Sequence, residues 1–232
     1  MLDKYCMTIP KYQAEVKLPY PLKDPSCIDL INTDKAAGKG EPIQGRKFLY
    51  VGSTEIIDTI INPELSEIFK SKNLTPMWVL VFGHARRDLY PNFPDIVHSD
   101  VFEVDGKWVK IPFSINWELS ETDAEFKWWD VAGAKEWYSD VKTVRPNEPR
   151  TRIRGCWYGN VEPITVNFAH NFERLHTYTL KRHCTTLVNP TVPHSVTYPP
   201  GAEYRAGLSY RFPLEQISTW EQGYELFKEF CI

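Results

Sequence analysis

The sequence predicts a mainly β protein in which a double-sheet jelly roll is flanked by helices, as one domain over all 232 residues. About nine short strand-like runs, separated by turn-forming residues, fill residues 77–213. A helical run precedes them and another follows, and one β barrel or sandwich commonly reaches this length. The expected strands are Met77–Gly83, Ile96–Val104, Trp108–Trp117, Glu125–Asp130, Arg152–Tyr158, His176–Leu180, Cys184–Val188, His194–Tyr198 and Tyr204–Phe212.

Two helices are expected outside this core. In residues 1–76, a lead-in rich in Pro, Lys, Asp and Gly, irregular or forming an edge strand, precedes a support helix over Ser53–Lys72. Isoleucine, leucine and phenylalanine recur there near helical spacing, and Pro63 is expected to kink or split the helix. The second helix covers residues 218–231, where Ser218-Thr-Trp-Glu221 has the form of a capping box.

Composition narrows the class of protein. The formal net charge of −3 gives no global field for nucleic acid, so nucleic acid is not an expected partner. No apolar run reaches the length of about 18 residues that a membrane span needs, and the first residues lack the apolar stretch of a signal peptide. The five cysteines are scattered, without a Cys-x-x-Cys pair, which favours reduced thiols and a cytoplasmic location.

Two imidazoles and one carboxylate form the main candidate site. His98 and Asp100 are two residues apart, so on a strand both side chains point to one face. His194 is the expected third member, and two histidines with one carboxylate are the ligands of a facial-triad iron site. His183 is the rival for the third position, but the context Pro193-His-Ser-Val196 and the arginine that follows favour His194.

The run Tyr204–Phe212 alternates between polar and apolar residues. One face would carry Arg205, Gly207, Ser209 and Arg211. Two arginines suit the binding of a carboxylate, because a guanidinium offers a planar fork of donors, and the glycine leaves room for a ligand. The alternative is a sandwich strand with a polar outer face.

Together these residues resemble the 2-oxoglutarate- and Fe(II)-dependent oxygenases, whose pattern is His-x-Asp, a long gap, a second His and then an Arg. Here the pattern is matched by His98, Asp100, His194 and Arg205. Residues 113–117 resemble the strand after the His-x-Asp strand, and residues 184–194 resemble the stretch leading to the distal histidine. The resemblance covers about residues 77–213 and implies a double-stranded β-helix, a cupin-like barrel.

The resemblance also implies a role for each matched residue. His98, Asp100 and His194 would hold Fe(II), and Arg205 would pair with the distal carboxylate of 2-oxoglutarate. Arg211 stands at a spacing that resembles the nucleic-acid demethylase branch, where a second arginine approaches the metal-bound end of the cosubstrate. The expected cosubstrate contacts therefore include Arg205, Arg211, Ser209 and Asn116.

The implied reaction is hydroxylation of a small molecule or an amino-acid residue by O2, with release of succinate and CO2 and with ascorbate as reductant. Two alternatives belong to other classes. One is a cupin-like metal protein without 2-oxoglutarate, and the other is a non-enzymatic jelly-roll structural protein. Nucleobase demethylation is a variant of the first reading, favoured by the Arg205/Arg211 pair and disfavoured by the balanced charge.

Overall fold

The computed structural model describes residues 9–27, 47–85, 97–104, 107–120, 122–142, 152–159, 172–197 and 204–232. In these ranges the protein is mainly β, with two six-stranded antiparallel sheets, a two-stranded hairpin and flanking helices. The strands are β1 (Gln13–Val16), β2 (Lys47–Gly52), β3 (Trp78–Ala85), β4 (His98–Ser99), β5 (Val101–Val104), β6 (Lys107–Lys110), β7 (Ser114–Glu118), β8 (Ala124–Asp130), β9 (Lys135–Lys142), β10 (Arg152–Gly159), β11 (Glu173–Leu180), β12 (Thr185–Val188), β13 (His194–Thr197) and β14 (Tyr204–Arg211).

The first sheet has the strand order β1-β12-β7-β14-β3-β2. One face of this sheet is covered by helices, and β14 lies near its centre between β7 and β3. Since side chains alternate along a strand, Leu208 and Tyr210 point into the core below the helices. Ser209 and Arg211 point the other way, toward the second sheet, as the alternation predicts.

The core below the helices is rich in aromatic rings. Phe69 meets Tyr210, Phe212 and Phe227 edge to face, with ring centroids 5.7, 5.3 and 6.2 Å apart. Phe113 stacks on Phe227 at 5.7 Å. Because all five rings are almost fully buried, this cluster holds the helices against the first sheet.

The predicted support helix is split at Pro63. It forms α1 (Thr54–Ile60) and α2 (Pro63–Ser71). The first helix ends at its C-cap Ile61, and Asn62 caps the second, since its side-chain oxygen accepts from the backbone N–H groups of Glu64 and Leu65. Proline at the first helical position then costs no backbone hydrogen bond.

The C-terminal helix, α3, covers Trp220–Phe227 and continues as a 3-10 turn over Lys228–Phe230. Thr219, and not Ser218, is its N-cap, because the Thr219 hydroxyl accepts from the backbone N–H of Gln222. The Gln222 side chain in turn accepts from the backbone N–H of Ser218. The expected capping box is therefore wrong by one residue, although the helix is where the sequence predicts it.

The second sheet has the order β11-β8-β13-β4-β10-β9. Its inner face packs against the first sheet, and Trp128 and Phe126 share a cluster there with Val188 of β12. Trp129 lies on the outer face with Tyr158. The adjacent tryptophans thus point in opposite directions, as expected for neighbours on a strand.

Two expected strands are broken in the structure. Ile96–Val104 divides at Asp100 into β4 and β5, and Trp108–Trp117 divides at residues 111–113 into β6 and β7. The cause is tertiary, because β5 and β6 pair with each other as a separate hairpin. The strands β2 and β9 were not expected, and β1 confirms an edge strand in the lead-in. Within the described ranges, no helix combines the length and apolar character that crossing a membrane requires.

Candidate metal centre

The histidines and the aspartate singled out by the sequence come together at the middle of the second sheet, where β4 pairs with β13. The ligand atoms of His98, Asp100 and His194 all lie within 4.8 Å of one another. Asp100 Oδ1 is 3.7 Å from His98 Nε2 and 3.9 Å from His194 Nε2. His194, and not His183, is therefore the distal member of this cluster.

Two neighbouring strands position the imidazoles. His98 begins β4 and His194 begins β13, and the two residues are directly opposite each other in the antiparallel pair. Opposite residues share a face, so both rings point inward, with centroids 4.5 Å apart. Asp100 follows the last residue of β4. The expectation that one strand carries both His98 and Asp100 is wrong, yet the two side chains converge.

The His194 ring is held in one orientation. Its Nδ1–H donates to the backbone oxygen of Val192 at 2.9 Å, because a carbonyl can only accept. This leaves the lone pair of Nε2 directed at the cluster, the arrangement that metal-binding histidines use. Burial, followed by the nearby His98, lowers the pKa of His194 to about 4 although Asp100 acts in the opposite direction. The ring is therefore neutral near pH 7.

The two oxygens of Asp100 face different partners. Oδ1 faces the imidazoles, whereas Oδ2 accepts from Arg211 Nη2 at 2.6 Å. Burial alone would raise the pKa of Asp100, but Arg211, then His194 and His98, outweigh it and hold this pKa below its ordinary value. Asp100 is thus an ionised carboxylate with one oxygen available as a ligand.

Arg211 has hydrogen-bond donors that are not used by Asp100. Its side chain is only 6% exposed, and within the described ranges its Nε and Nη1 have no hydrogen-bond partner. The hydroxyl of Ser114, directly opposite Arg211 in the first sheet, is also buried without a partner in those ranges. Buried donors are normally satisfied, so this grouping beside the carboxylate is suited to an acceptor ligand such as a second carboxylate.

The other expected cosubstrate contacts have different outcomes. Ser209 and Asn116 are opposite each other, and the Ser209 hydroxyl donates to Asn116 Oδ1 at 2.5 Å, on the same sheet face as Arg211. Contact of either side chain with a cosubstrate stays a prediction. The backbone of Arg205 lies in β14 opposite His84, but its side chain is outside the described part of the structure. Its role also stays a prediction.

Sequence reasoning missed the different character of the two walls that enclose the cluster. The inner face of the first sheet carries charged residues such as Glu15 and Arg211 besides Val188, and Tyr178 of the second sheet donates to Glu15 at 2.8 Å. The inner face of the second sheet is aromatic, with the Phe126 ring 4.9 Å from His194. Strand register would have revealed these faces, but register depends on partners that the sequence does not name.

The cluster fits a divalent metal ion. It offers two imidazole nitrogens and one ionised carboxylate, and the side chains of His98 and Asp100 remain 29% and 25% exposed. With metal–ligand distances of about 2.1 Å, neighbouring ligands would be about 3 Å apart, so only a small inward movement is needed. No family model matches the sequence, and no curated protein matches it significantly. The assignment therefore depends on the residues themselves.

Proposed function

We propose that this protein is an Fe(II)- and 2-oxoglutarate-dependent dioxygenase that hydroxylates a small molecule or an amino-acid residue. The observation that carries the proposal is the convergence of His98, Asp100 and His194 beside Arg211, which has buried donors without partners among the described residues. Two histidines and a carboxylate with open positions are the ligand set of non-haem Fe(II) oxygenases. These donors of Arg211 supply what a carboxylate-bearing cosubstrate needs.

The order of the strands supports the fold that this proposal requires. From β3 onward the chain passes between the sheets, with β3, β7, β12 and β14 in the first and β4, β8, β11 and β13 in the second. Such alternation between two antiparallel sheets is how a jelly roll is wound. We therefore propose a double-stranded β-helix as the core, with β9 and β10 as an insertion between β8 and β11.

When bound, Fe(II) with 2-oxoglutarate and O2 supplies an oxidising centre that hydroxylates a substrate and releases succinate and CO2. The chain prepares the site for this chemistry. Neutral His194 and ionised Asp100 are ready to bind a cation at neutral pH. Arg211 keeps the carboxylate ionised and orients the acidic cosubstrate, with Arg205 proposed for its far end. The aromatic wall, including Phe126, limits water next to His194.

The substrate in this proposal is a small molecule or a peptidyl side chain, since the charge balance does not favour nucleic acid. We also propose a cytoplasmic location. In that compartment Fe(II) and free thiols such as those of Cys27, Cys184 and Cys231 stay reduced.

The test is succinate formation from 2-oxoglutarate by protein reconstituted anaerobically with Fe(II) and then exposed to air with ascorbate. We expect succinate from the parent protein, even without the true substrate, and none from the variant His98→Ala/Asp100→Ala. Before air is admitted, the same sample should show the visible charge-transfer band of 2-oxoglutarate bound to Fe(II). Metal binding with neither signal would replace the proposal by a cupin-like metal protein, and no metal binding would favour a structural jelly roll.

A further inference from the structure

Ser99, the residue between His98 and Asp100, points away from the cluster to the outer face of the second sheet. Its side chain is fully buried, and its hydroxyl donates to the backbone oxygen of Thr191 at 2.8 Å. The hydroxyl oxygen of Ser99 lies 2.9 Å from the Tyr158 hydroxyl. Because a serine hydroxyl has one hydrogen, which goes to Thr191, Tyr158 must be the donor to Ser99.

Thr191 belongs to the segment that delivers the distal histidine. Four consecutive carbonyls lead into His194, and each accepts one hydrogen bond. Pro190 accepts from the backbone N–H of Asp100 at 3.1 Å, and Pro193 accepts from the backbone N–H of Trp129 at 3.0 Å. Thr191 accepts from Ser99, and Val192 accepts from His194 itself. The segment is thus attached to both strands that flank β13.

Of these four bonds, the two donated by Ser99 and Asp100 connect the segment that carries His98 and Asp100 to the segment that leads to His194. The Asp100 bond comes from the backbone and is independent of side-chain type. The Ser99 bond depends on a hydroxyl, and that hydroxyl is oriented by Tyr158. Tyr158 is itself fixed, because its ring packs on the outer face with Val97 and Trp129.

We propose that Ser99 and Tyr158 are positioning residues that set the separation between the His98–Asp100 ligands and His194. This positioning role concerns the metal site of the proposed function and rests on that function. Loss of the Ser99 hydroxyl would leave the Thr191 carbonyl and the Tyr158 hydroxyl buried without this partner, a cost that movement of the segment would relieve. Movement of the segment displaces His194, and three ligands that must meet at one ion tolerate little displacement.

The first measurement is the affinity for Co(II), a divalent probe followed by its visible absorption, in the full-length protein. Ser99→Ala and Tyr158→Phe are expected to weaken binding about 10- to 100-fold, the usual effect of losing a group that orients a ligand. Ser99→Thr keeps the hydroxyl and is expected to bind nearly as tightly as the parent. This rescue separates the hydrogen bond from packing.

Ser195→Ala is the matched control. Ser195 is also a buried serine next to a histidine ligand, but its hydroxyl accepts from the Trp129 indole at 2.9 Å and its side chain makes no described bond to residues 190–193. Ser195→Ala is therefore expected to keep the parent affinity. Equal weakening in Ser99→Ala and Ser195→Ala would overturn the proposal, because it would show a general packing effect.

The second measurement needs no metal. Hydrogen exchange in the metal-free protein reports the attachment directly, since the Asp100 amide donates to Pro190 in the same segment. Ser99→Ala and Tyr158→Phe are expected to speed exchange of this amide, whereas Ser195→Ala is not. Unchanged exchange in both test variants would overturn the positioning role. A parent protein without Co(II) affinity would instead contradict the proposed function. The exchange result would still show whether Ser99 and Tyr158 hold residues 190–193 against β4.

Discussion

The two faces of the first sheet have opposite characters. The face below the helices carries Leu208 and Tyr210 of β14, which share one hydrophobic core with the buried rings of the helices, including Phe227. The face toward the second sheet buries Ser114 and Arg211, which keep unpartnered polar atoms within the described ranges. Adjacent residues of one strand therefore serve different purposes. The first face stabilises the fold. The second face is destabilising as long as its buried polar atoms lack hydrogen-bond partners, and a bound ligand can supply those partners.

The sharpest test of this separation is Phe227→Ala. Phe227 is fully buried among aromatic rings, so its truncation should lower the free energy of unfolding by about 3–5 kcal/mol. Urea unfolding measures this loss, and Phe227→Leu should lose less. The Co(II) affinity of the folded fraction should stay at the parent value. A large loss of affinity would show that the two faces are not independent.

Arg211→Met tests the polar face. It removes the partner of Asp100 at similar volume and should cost about 3 kcal/mol, at the lower end for such pairs because Asp100 is partly exposed. The double variant Arg211→Met/Asp100→Asn removes the unpaired charge as well and should recover part of the loss in urea unfolding. A double variant less stable than Arg211→Met would contradict the ion-pair explanation. The single variant should also weaken 2-oxoglutarate binding.

Cys184 tests how burial between the sheets controls ionisation. Burial raises the pKa of its thiol to about 11, with Thr186 opposing and Glu15 reinforcing the shift. Between about pH 9 and 11 the folded chain binds more protons than the unfolded chain, so stability falls as the pH rises, by up to about 3 kcal/mol. Cys184→Ala should make this dependence less steep in urea unfolding, while Tyr178 and Tyr210, whose pKa values are also raised by burial, keep the rest of it. The same slope in both proteins would assign it to other groups.

The smallest expected effect concerns the contact between α3 and the first sheet. A methyl group on Gly223 would fall on the ring of Phe113, which is already stacked on Phe227 and cannot easily move. Gly223→Ala should therefore destabilise the protein by about 1–3 kcal/mol despite its higher helix propensity. Thermal unfolding measures this change. A stabilised variant would show that the aromatic cluster is more loosely packed than its ring contacts indicate.

Much of the candidate site was predictable because its chemistry is a matter of residue type. His98, Asp100 and His194 have side chains that suit a metal ion, and they meet as expected. The alternation of β14 correctly assigned Ser209 and Arg211 to one face, since a strand repeats every two residues. Pro63 likewise divides the support helix for a local reason.

What the sequence could not reveal depends on contacts between distant segments. The break at Asp100 follows from pairing of β5 with β6 and from the bond of the Asp100 backbone to Pro190. Nothing local marks Ser99 or Tyr158, because their significance lies in a segment that is far away in the chain. The same holds for β9, whose partner β10 determines that it is a strand.

The central position of β14 has a consequence for biosynthesis. This strand comes after every other described strand, yet it joins β7 to β3 and so unites the two halves of the first sheet. Until the ribosome has released it, β3 and β7 each present an unpaired edge that invites aggregation. A nascent chain that stalls before Tyr204 would therefore need a chaperone more than one that stalls after Arg211.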